Sequence, residues 1–243
     1  MSDRTILTVA GNDRVDFLQG LVTNDVPTKA GSIAYAALLT PQGKFIVDFF
    51  VIGDGDRLLL DVSADAAPAL AQRLTMYRLR AEVTIEQTDL IVSRGIGNAP
   101  SGAMSDPRHE GMGWRHYGHT DISDDTDWDS LRVALGVPAT GIELTPDTYI
   151  LEADFERLNG VDFKKGCYVG QEVTARMKHK TELRKGLAQV QITGTAPEGT
   201  PITSDGKPAG TLHTNTAGQA LAYLRFDRAK GDLKADQATI TVQ

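Results

Sequence analysis

Three strand-length apolar segments follow one another between residues 33 and 62, and only short turns separate them. The turns read Thr-Pro-Gln-Gly at residues 40–43 and Gly-Asp-Gly-Asp at residues 53–56. Their proline and glycines supply the backbone angles that tight reversals require, so consecutive strands pair as neighbours. The spacing therefore predicts an antiparallel sheet with strands at residues 33–39, 44–52 and 57–62.

A helix and a further strand follow these segments. Residues 65–77 place Leu70, Leu74 and Tyr77 on one helical face, and residues 81–87 contain the valine and isoleucine typical of a strand. Residues 6–10 predict an earlier strand. The order of three strands, a helix and a strand indicates an α+β fold, in which a helix covers one face of an antiparallel sheet.

The C-terminal part of the sequence has a different pattern. Short strand candidates alternate there with closely spaced turn signals, which predicts a small all-β domain. We place the boundary near Arg184, so that residues 1–184 form one domain and residues 185–243 the other. Residues 95–127 are dense in glycine, serine, aspartate and proline and are predicted to be a connection, and a short helix is predicted at residues 128–135.

The composition excludes several classes of protein. A hydrophobic fraction of 41% with 23% charged residues indicates a folded globular chain, and a net charge of −7 argues against a general nucleic-acid or membrane-surface binder. No segment reaches the apolar length of a membrane-spanning helix, and the N-terminus lacks the pattern of a signal peptide. With a single cysteine and no export signal, we expect a cytoplasmic protein.

Cys167 is the only cysteine of the sequence, so it cannot form an internal disulfide. It lies in the segment KKGCYVGQE, residues 164–172, where two lysines precede it and glycines flank it. Cations and a helix N-terminus both favour the thiolate form, and these neighbours favour a reactive thiol over an inert buried residue. The other candidate residues of this segment are Lys165, Gly166, Tyr168, Gly170, Gln171 and Glu172.

Other polar residues allow more than one interpretation. His109, His116 and His119 are better explained as residues of a surface loop than as a metal site, because the segment lacks a second thiol and the usual zinc-ligand spacing. Asp48 interrupts an apolar strand, where alternation directs it to the solvated face or else toward a ligand. Arg176 belongs to a basic run that is either a solvated face or the receiving surface for an anionic ligand.

The segment around Cys167 resembles the signature of the YgfZ family, whose members are folate-binding proteins that assist iron–sulfur cluster assembly or repair. That family is itself similar to the aminomethyltransferase of the glycine cleavage system. Further segments carry the resemblance along essentially the whole chain, at residues 16–20, 23–26, 41–44, 77–80, 106–108, 113–115, 210–212 and 224–227.

The resemblance implies a fold, a function and a set of partners. The fold would be an aminomethyltransferase-like, folate-binding α+β region with a ferredoxin-like antiparallel sheet, followed by a small C-terminal β-barrel. The function would be that of a tetrahydrofolate-binding accessory protein for assembly, maintenance or repair of iron–sulfur clusters in client enzymes, without turnover of its own. Cys167 would be a reactive thiol or a cluster ligand, and the cofactor would be tetrahydrofolate or a one-carbon derivative.

Two alternatives remain open beside this interpretation. One is a folate-dependent aminomethyltransferase or demethylase, which the thiol motif disfavours because that transfer needs no thiol. Val47 also replaces one member of the aspartate pair that the aminomethyltransferases carry at this place. The other alternative is a folate-binding scaffold whose cysteine is structural.

The resemblance also implies candidate folate contacts. Trp128 matches a family tryptophan whose ring would stack on a flat pterin, and Arg4 stands where some members have a second tryptophan. The remaining residues implied to contact folate are Asn24, Asp25, Asp48, Glu152 and Arg176.

Overall fold

The computed structural model describes residues 3–179 and 182–242. Its largest sheet has the strand order β2-β3-β4-β1-β5, and every neighbouring pair is antiparallel. The five strands are β1 (Arg4–Ala10), β2 (Ile33–Leu39), β3 (Phe45–Asp54), β4 (Arg57–Ser63) and β5 (Thr84–Gln87). The predicted strands and their antiparallel pairing are confirmed, with ends that differ by up to three residues.

The two faces of this sheet differ in chemistry. One face carries Leu60, every second residue of its strand, and the residues paired with them on the neighbouring strands. This face packs against apolar residues of two helices, α1 (Arg14–Gln19) and α2 (Ala67–Arg78). Alternation places Tyr35, Asp48 and Asp61 on the opposite face, because successive side chains of a strand point to opposite sides. All three are buried.

A second sheet takes two of its three strands from the segment that we predicted to be a connection, and its remaining strand precedes that segment. Its strands are β6 (Ile91–Gly95), β7 (Met104–Ser105) and β8 (Trp114–Gly118), in the order β6-β8-β7. The prediction of a loop over residues 95–127 is therefore wrong in part. These strands have two to five residues and stand among glycines, so they carry too few positions for a clear alternation.

The C-terminal strands form a closed barrel in the order β10-β11-β12-β9-β14-β13. They are β9 (Lys185–Thr193), β10 (Pro201–Ser204), β11 (Lys207–Thr216), β12 (Gln219–Arg225), β13 (Leu233–Ala235) and β14 (Ala238–Val242). The barrel encloses an aliphatic core that includes Val190, Ile202, Leu212 and Leu224. The predicted α+β fold with a small C-terminal β-barrel is thus confirmed.

The chain divides into two compact units. The first runs to Thr126 and includes Glu156–Glu172. The second comprises Asp127–Phe155 and the described residues from Val173 onward. It contains α3 (Trp128–Ala134), the barrel and most of α4 (Gln171–His179).

Candidate functional site

Cys167 is exposed and lies on the loop that precedes α4, which we call the Cys167 loop (residues 162–170). Next to it, Tyr168 is buried, and Gly170 has a φ of +86°. A Cβ atom at Gly170 would come within 2.6 Å of the carbonyl oxygen of Thr40, so only glycine fits there. The backbone on the C-terminal side of Cys167 is therefore fixed, while the thiol itself is exposed to solvent. The alternative of a buried cysteine is excluded.

Lys165 holds the other side of this loop. Its ammonium group donates to the backbone carbonyl oxygens of Gln19, Val22 and Asn24 at 3.0, 2.6 and 2.8 Å. The side chain is half-buried, and this burial lowers the pKa of Lys165 to about 8. Three carbonyl oxygens match the three N–H donors of an ammonium group, so the charge of Lys165 is directed at the backbone.

The remaining residues of the motif have simpler surroundings. Gly166 is exposed, and no atom lies within 4 Å of the place where its Cβ would be. Gln171 and Glu172 begin α4, with Gln171 half-buried and Glu172 exposed. The amide of Gln171 donates to the carbonyl oxygen of Tyr168 at 3.2 Å, which makes the turn into the helix.

Asn24 and Asp25 shape the chain that receives Lys165. The side-chain amide of Asn24 donates to the carbonyl oxygens of Tyr35 and Asn159 at 2.8 and 2.7 Å, and its oxygen accepts from the Asp25 amide at 2.8 Å. The exposed carboxylate of Asp25 accepts from Gln19 at 2.5 Å. Both residues therefore stabilise the segment after α1.

A buried group of charges, which we call the charged layer, covers the polar face of the large sheet. It consists of Arg4, Asp61, Asp106, Arg108 and Arg115. Asp61 Oδ2 accepts from Arg115 at 2.6 Å, and Asp61 Oδ1 accepts from Arg4 at 2.6 Å. Asp106 accepts from Arg108 at 2.8 Å and from Arg115 at 3.3 Å. The two carboxylates thus share three guanidinium groups.

The charges of this layer stabilise one another. Burial alone would raise the pKa of Asp61, but Arg115 and Arg4 lower it to about 2 through their charges and hydrogen bonds. The same ion pairing lowers the pKa of Asp106 in spite of its burial. Both carboxylates are therefore ionised at neutral pH.

Aromatic residues complete the polar face. The guanidinium carbons of Arg115, Arg108 and Arg4 lie 4.0, 4.9 and 5.7 Å from the centre of the Phe50 ring. Tyr35 donates its hydroxyl to Asp48 at 2.8 Å. Asp48 does lie opposite Val47 and Phe49 as alternation predicts. Of the two interpretations that the sequence left open, the solvated face is wrong, because Asp48 is only 6% exposed.

Sequence reasoning missed the partners in this layer. Asp61 interrupts an apolar strand in the same way as Asp48, and this signal was available in the sequence. Arg108 and Arg115 lie in two of the segments that carry the family resemblance, but nothing local indicates that they pair with Asp61 and Asp106.

In the second unit, Glu152 is a buried carboxylate at the edge of a cavity of about 840 Å³. Its Oε2 atom accepts a hydrogen bond from the Tyr223 hydroxyl and lies 3.6 Å from the Lys185 ammonium. Burial and the neighbouring carboxylate raise the pKa of Tyr223, which remains a donor. Among the described residues, the others that line the cavity are Met177, His179, Glu182, Leu183, Arg184, Lys185 and Arg225.

Two further candidates of the second unit lie on helices. Trp128 is half-buried at the first position of α3, where Asp127 caps the helix by accepting from the Ser130 amide at 3.1 Å. Arg176 is exposed on α4 and is not among the described residues that line the cavity. The predicted roles of Trp128 and Arg176 in binding folate stay predictions.

The three histidines lie in different surroundings. His109 accepts from the Gly111 amide at 3.0 Å, and exposed His119 lies 3.6 Å from Asp89. His116 lies in β8. Within residues 3–179 and 182–242, no group of three or more His, Cys, Asp or Glu residues is arranged to hold a metal ion, and no helix has the length and apolarity to cross a membrane.

Comparisons with known proteins agree with this architecture. Residues 184–243 match the family described as "CAF17, C-terminal beta-barrel domain". The human protein "Iron-sulfur cluster assembly factor IBA57, mitochondrial" is 31% identical over 96% of this chain and 78% of the human protein. A Neurospora crassa homolog of that factor is 29% identical over 85% of this chain and 56% of the fungal protein.

A solved structure shows the same fold at low sequence identity. The glycine cleavage system aminomethyltransferase T from Bartonella henselae matches 100% of this chain and 83% of its own, with a TM-score of 0.79 and 15% identity. The resemblance found in the sequence motifs is thus confirmed. The expectation of a cytoplasmic protein is wrong, because the human, mouse and Neurospora relatives are mitochondrial factors.

Proposed function

Because the chain belongs to the family of IBA57 iron–sulfur cluster assembly factors, we propose that it supports the assembly, maintenance or repair of clusters in client enzymes through the thiol of Cys167. The protein has no small-molecule turnover of its own in this proposal. Its partners are iron–sulfur client enzymes or other assembly proteins.

This proposal depends on the observation that Cys167 is exposed on a loop whose two ends are fixed by Lys165 and Gly170. Thiolates are the protein ligands of iron–sulfur clusters, which usually take four of them. A chain with one cysteine supplies one such ligand, so a partner protein provides the rest. Thiol exchange with a partner is the alternative use of the same exposed sulfur.

Complementation of a deletion strain tests the role of Cys167. We expect Cys167→Ala and Cys167→Ser to fold normally but to restore little iron–sulfur enzyme activity, because a hydroxyl does not replace a soft thiolate ligand. The matched control is Glu198→Ala, which changes an exposed residue before the barrel strand β10 and should rescue like the wild type. Full rescue by the alanine variant would contradict the proposal.

A mixture of purified protein and a candidate partner, supplied with ferrous iron and sulfide under anaerobic conditions, distinguishes ligation from thiol exchange. Ligation predicts visible absorption of a cluster that forms with wild-type protein and not with Cys167→Ser. In exchange, the Cys167 thiolate attacks a disulfide of the partner and displaces one of its two sulfurs as a thiolate. This predicts a mixed disulfide at Cys167, detected by mass spectrometry, without that absorption.

We further propose that the second unit binds a reduced folate, which would carry a one-carbon unit. The cavity beside Glu152 supports this, because its volume of about 840 Å³ falls within the usual range for small-molecule sites. Glu152 would accept from the N–H groups of the pterin, and Arg184 and Arg225 would face the folate carboxylates. In the first unit, by contrast, Arg4 is already paired with Asp61.

Calorimetry with tetrahydrofolate tests this second proposal. Replacing Glu152 with glutamine should weaken binding roughly tenfold or more, because it removes a charged hydrogen-bond acceptor. The control, Glu198→Gln, changes an exposed carboxylate outside the lining of the cavity. The chain has two tryptophans, so loss of fluorescence quenching in Trp128→Phe would assign the ring that contacts the ligand.

The outcomes also separate the rival functions. If no reduced folate binds saturably, the folate proposal fails while the role of Cys167 stands. Catalytic production of a one-carbon folate from an aminomethyl donor by the purified protein, undiminished in Cys167→Ala, would favour the aminomethyltransferase instead.

A further inference from the structure

The anchoring of Lys165 bears directly on the position of the Cys167 thiol. All three donors of the ammonium group find carbonyl acceptors within 3.0 Å, on Gln19, Val22 and Asn24. Gln19 is the last residue of α1, where carbonyl groups lack intrahelical partners and accept from side chains instead. Charge-assisted hydrogen bonds of this kind are stronger than neutral ones.

The segment that receives Lys165 is itself fixed. Thr23 is fully buried, donates its hydroxyl to the carbonyl oxygen of Gly160 at 2.6 Å and accepts from the Ala37 amide at 2.8 Å. The amide of Asp162 donates to the Thr23 carbonyl at 3.0 Å. The carbonyl oxygens under Lys165 therefore belong to a buried network that includes strand β2.

The other end of the thiol-bearing segment is fixed by different means. Tyr168 is buried, Val169 packs against the apolar core, and Gly170 lies against the backbone of Thr40. Only Gly166 and Cys167 lie between the Lys165 anchor and Tyr168. Both are exposed.

We propose that Lys165 is a positioning residue, whose hydrogen bonds to the three carbonyl groups fix the exposed Cys167 thiol for its partner. This inference rests on the proposed role of Cys167. It differs from the electrostatic role expected from the sequence, in which both lysines favour the thiolate by their charge alone. The ammonium of Lys165 acts on the path of the backbone, two residues before the sulfur.

Substitutions at Lys165 and Lys164 separate the two roles. Lys165→Met keeps most of the aliphatic stem and removes the donors, whereas Lys165→Arg keeps the charge in a planar group that cannot direct three donors from one atom. Lys164→Met is the matched control, since Lys164 is an exposed lysine adjacent in sequence. Positioning predicts that both Lys165 variants fail and that the control behaves as wild type.

Amide hydrogen exchange measures how firmly the Lys165 hydrogen bonds hold the Cys167 loop, and it does not depend on cluster chemistry. Loss of the charge-assisted bonds should speed amide exchange in the Cys167 loop by about tenfold to a hundredfold in Lys165→Met. A nitroxide attached to Cys167, the single cysteine, should become more mobile in that variant and remain unchanged in Lys164→Met. Lys165→Gln, which keeps two donors, serves for both measurements if the methionine variant does not fold.

Complementation of the deletion strain completes the test. We expect Lys165→Met and Lys165→Arg to lose most of the rescue at normal protein levels. Wild-type exchange and label mobility in Lys165→Met would overturn the positioning role, as would full rescue by Lys165→Arg. The proposed function is judged separately, because full rescue by Cys167→Ala would refute it whatever the loop measurements show.

Discussion

The two faces of the large sheet both carry buried side chains, but only one of them carries buried charges. On one face, apolar side chains such as Leu60 and Phe49 pack against α1 and α2. On the other face, Asp61 and its arginine partners form the charged layer. The same strands build both faces, so burial alone does not decide whether a position is apolar.

The faces are stabilised in different ways. The apolar face gains free energy from each side chain removed from water, at about 25 cal/mol per Å². The charged layer depends on complete pairing, because a buried charge without its partner costs more than the pair contributes. On the apolar face, the stability lost with one side chain is therefore proportional to the area that the side chain buried. In the charged layer, removal of any one charged residue leaves its partner unpaired.

The largest expected effect follows removal of Arg115. Arg115→Met leaves Asp61 and Asp106 buried with fewer cations, and the free energy of unfolding should fall by about 3–5 kcal/mol. Urea denaturation measures this loss. Arg57→Met, which removes a partly exposed ion pair with Asp54, should cost at most about 1 kcal/mol. Equal effects of the two variants would contradict the ionic account of the polar face.

A cavity on the apolar face should have a somewhat smaller effect. Leu60 is fully buried, and Leu60→Ala should lower the free energy of unfolding by about 3 kcal/mol through lost burial and the cavity that remains. The same substitution at Leu79, which is 88% exposed, should change it by less than about 0.5 kcal/mol. Denaturant titration of both variants gives the comparison.

Acid should weaken the charged layer and leave the apolar face unaffected. The pKa of Asp61 is lowered to about 2 in the folded protein, so the unfolded chain binds the proton first and stability falls as the pH drops from about 4 toward 2. The lowered pKa of Asp61 contributes about 2 kcal/mol to the free energy of unfolding at neutral pH. Asp61→Asn should remove that part of the pH dependence, and Leu60→Ala should retain it. If the free energy of unfolding of Asp61→Asn still fell between about pH 4 and pH 2 as steeply as that of the wild type, the low pKa of Asp61 would be contradicted.

The smallest effect is expected at the edge of the polar face. Tyr35→Phe removes the hydroxyl that donates to Asp48 and should cost about 1 kcal/mol. Thermal unfolding measures it, with Tyr77→Phe, a half-buried tyrosine of α2, as the control. A loss comparable to that in Arg115→Met would show that Asp48 belongs to the essential pairing of the layer.

Much of the fold could be predicted from local patterns. Strand β2 was predicted with its observed ends, and helix α2, predicted at residues 65–77, spans Ala67–Arg78. Alternation also placed Asp48 on the correct face. Strands β6, β7 and β8 were missed because short strands near glycines lack a periodic signal.

The sequence by itself determined the strands of the large sheet, the turns between β2, β3 and β4, the family motif and the uniqueness of Cys167. The tertiary structure alone decided which charges meet, since Asp61 pairs with Arg115 across 54 residues and Lys165 reaches Val22 across 143. Local patterns report the period of a helix or strand, and they contain no information on which distant segment will cover a face. For that reason the sheet face on which Asp48 lies carries a buried layer of charges instead of solvent, and a lysine expected to act on the thiol is bound to the backbone.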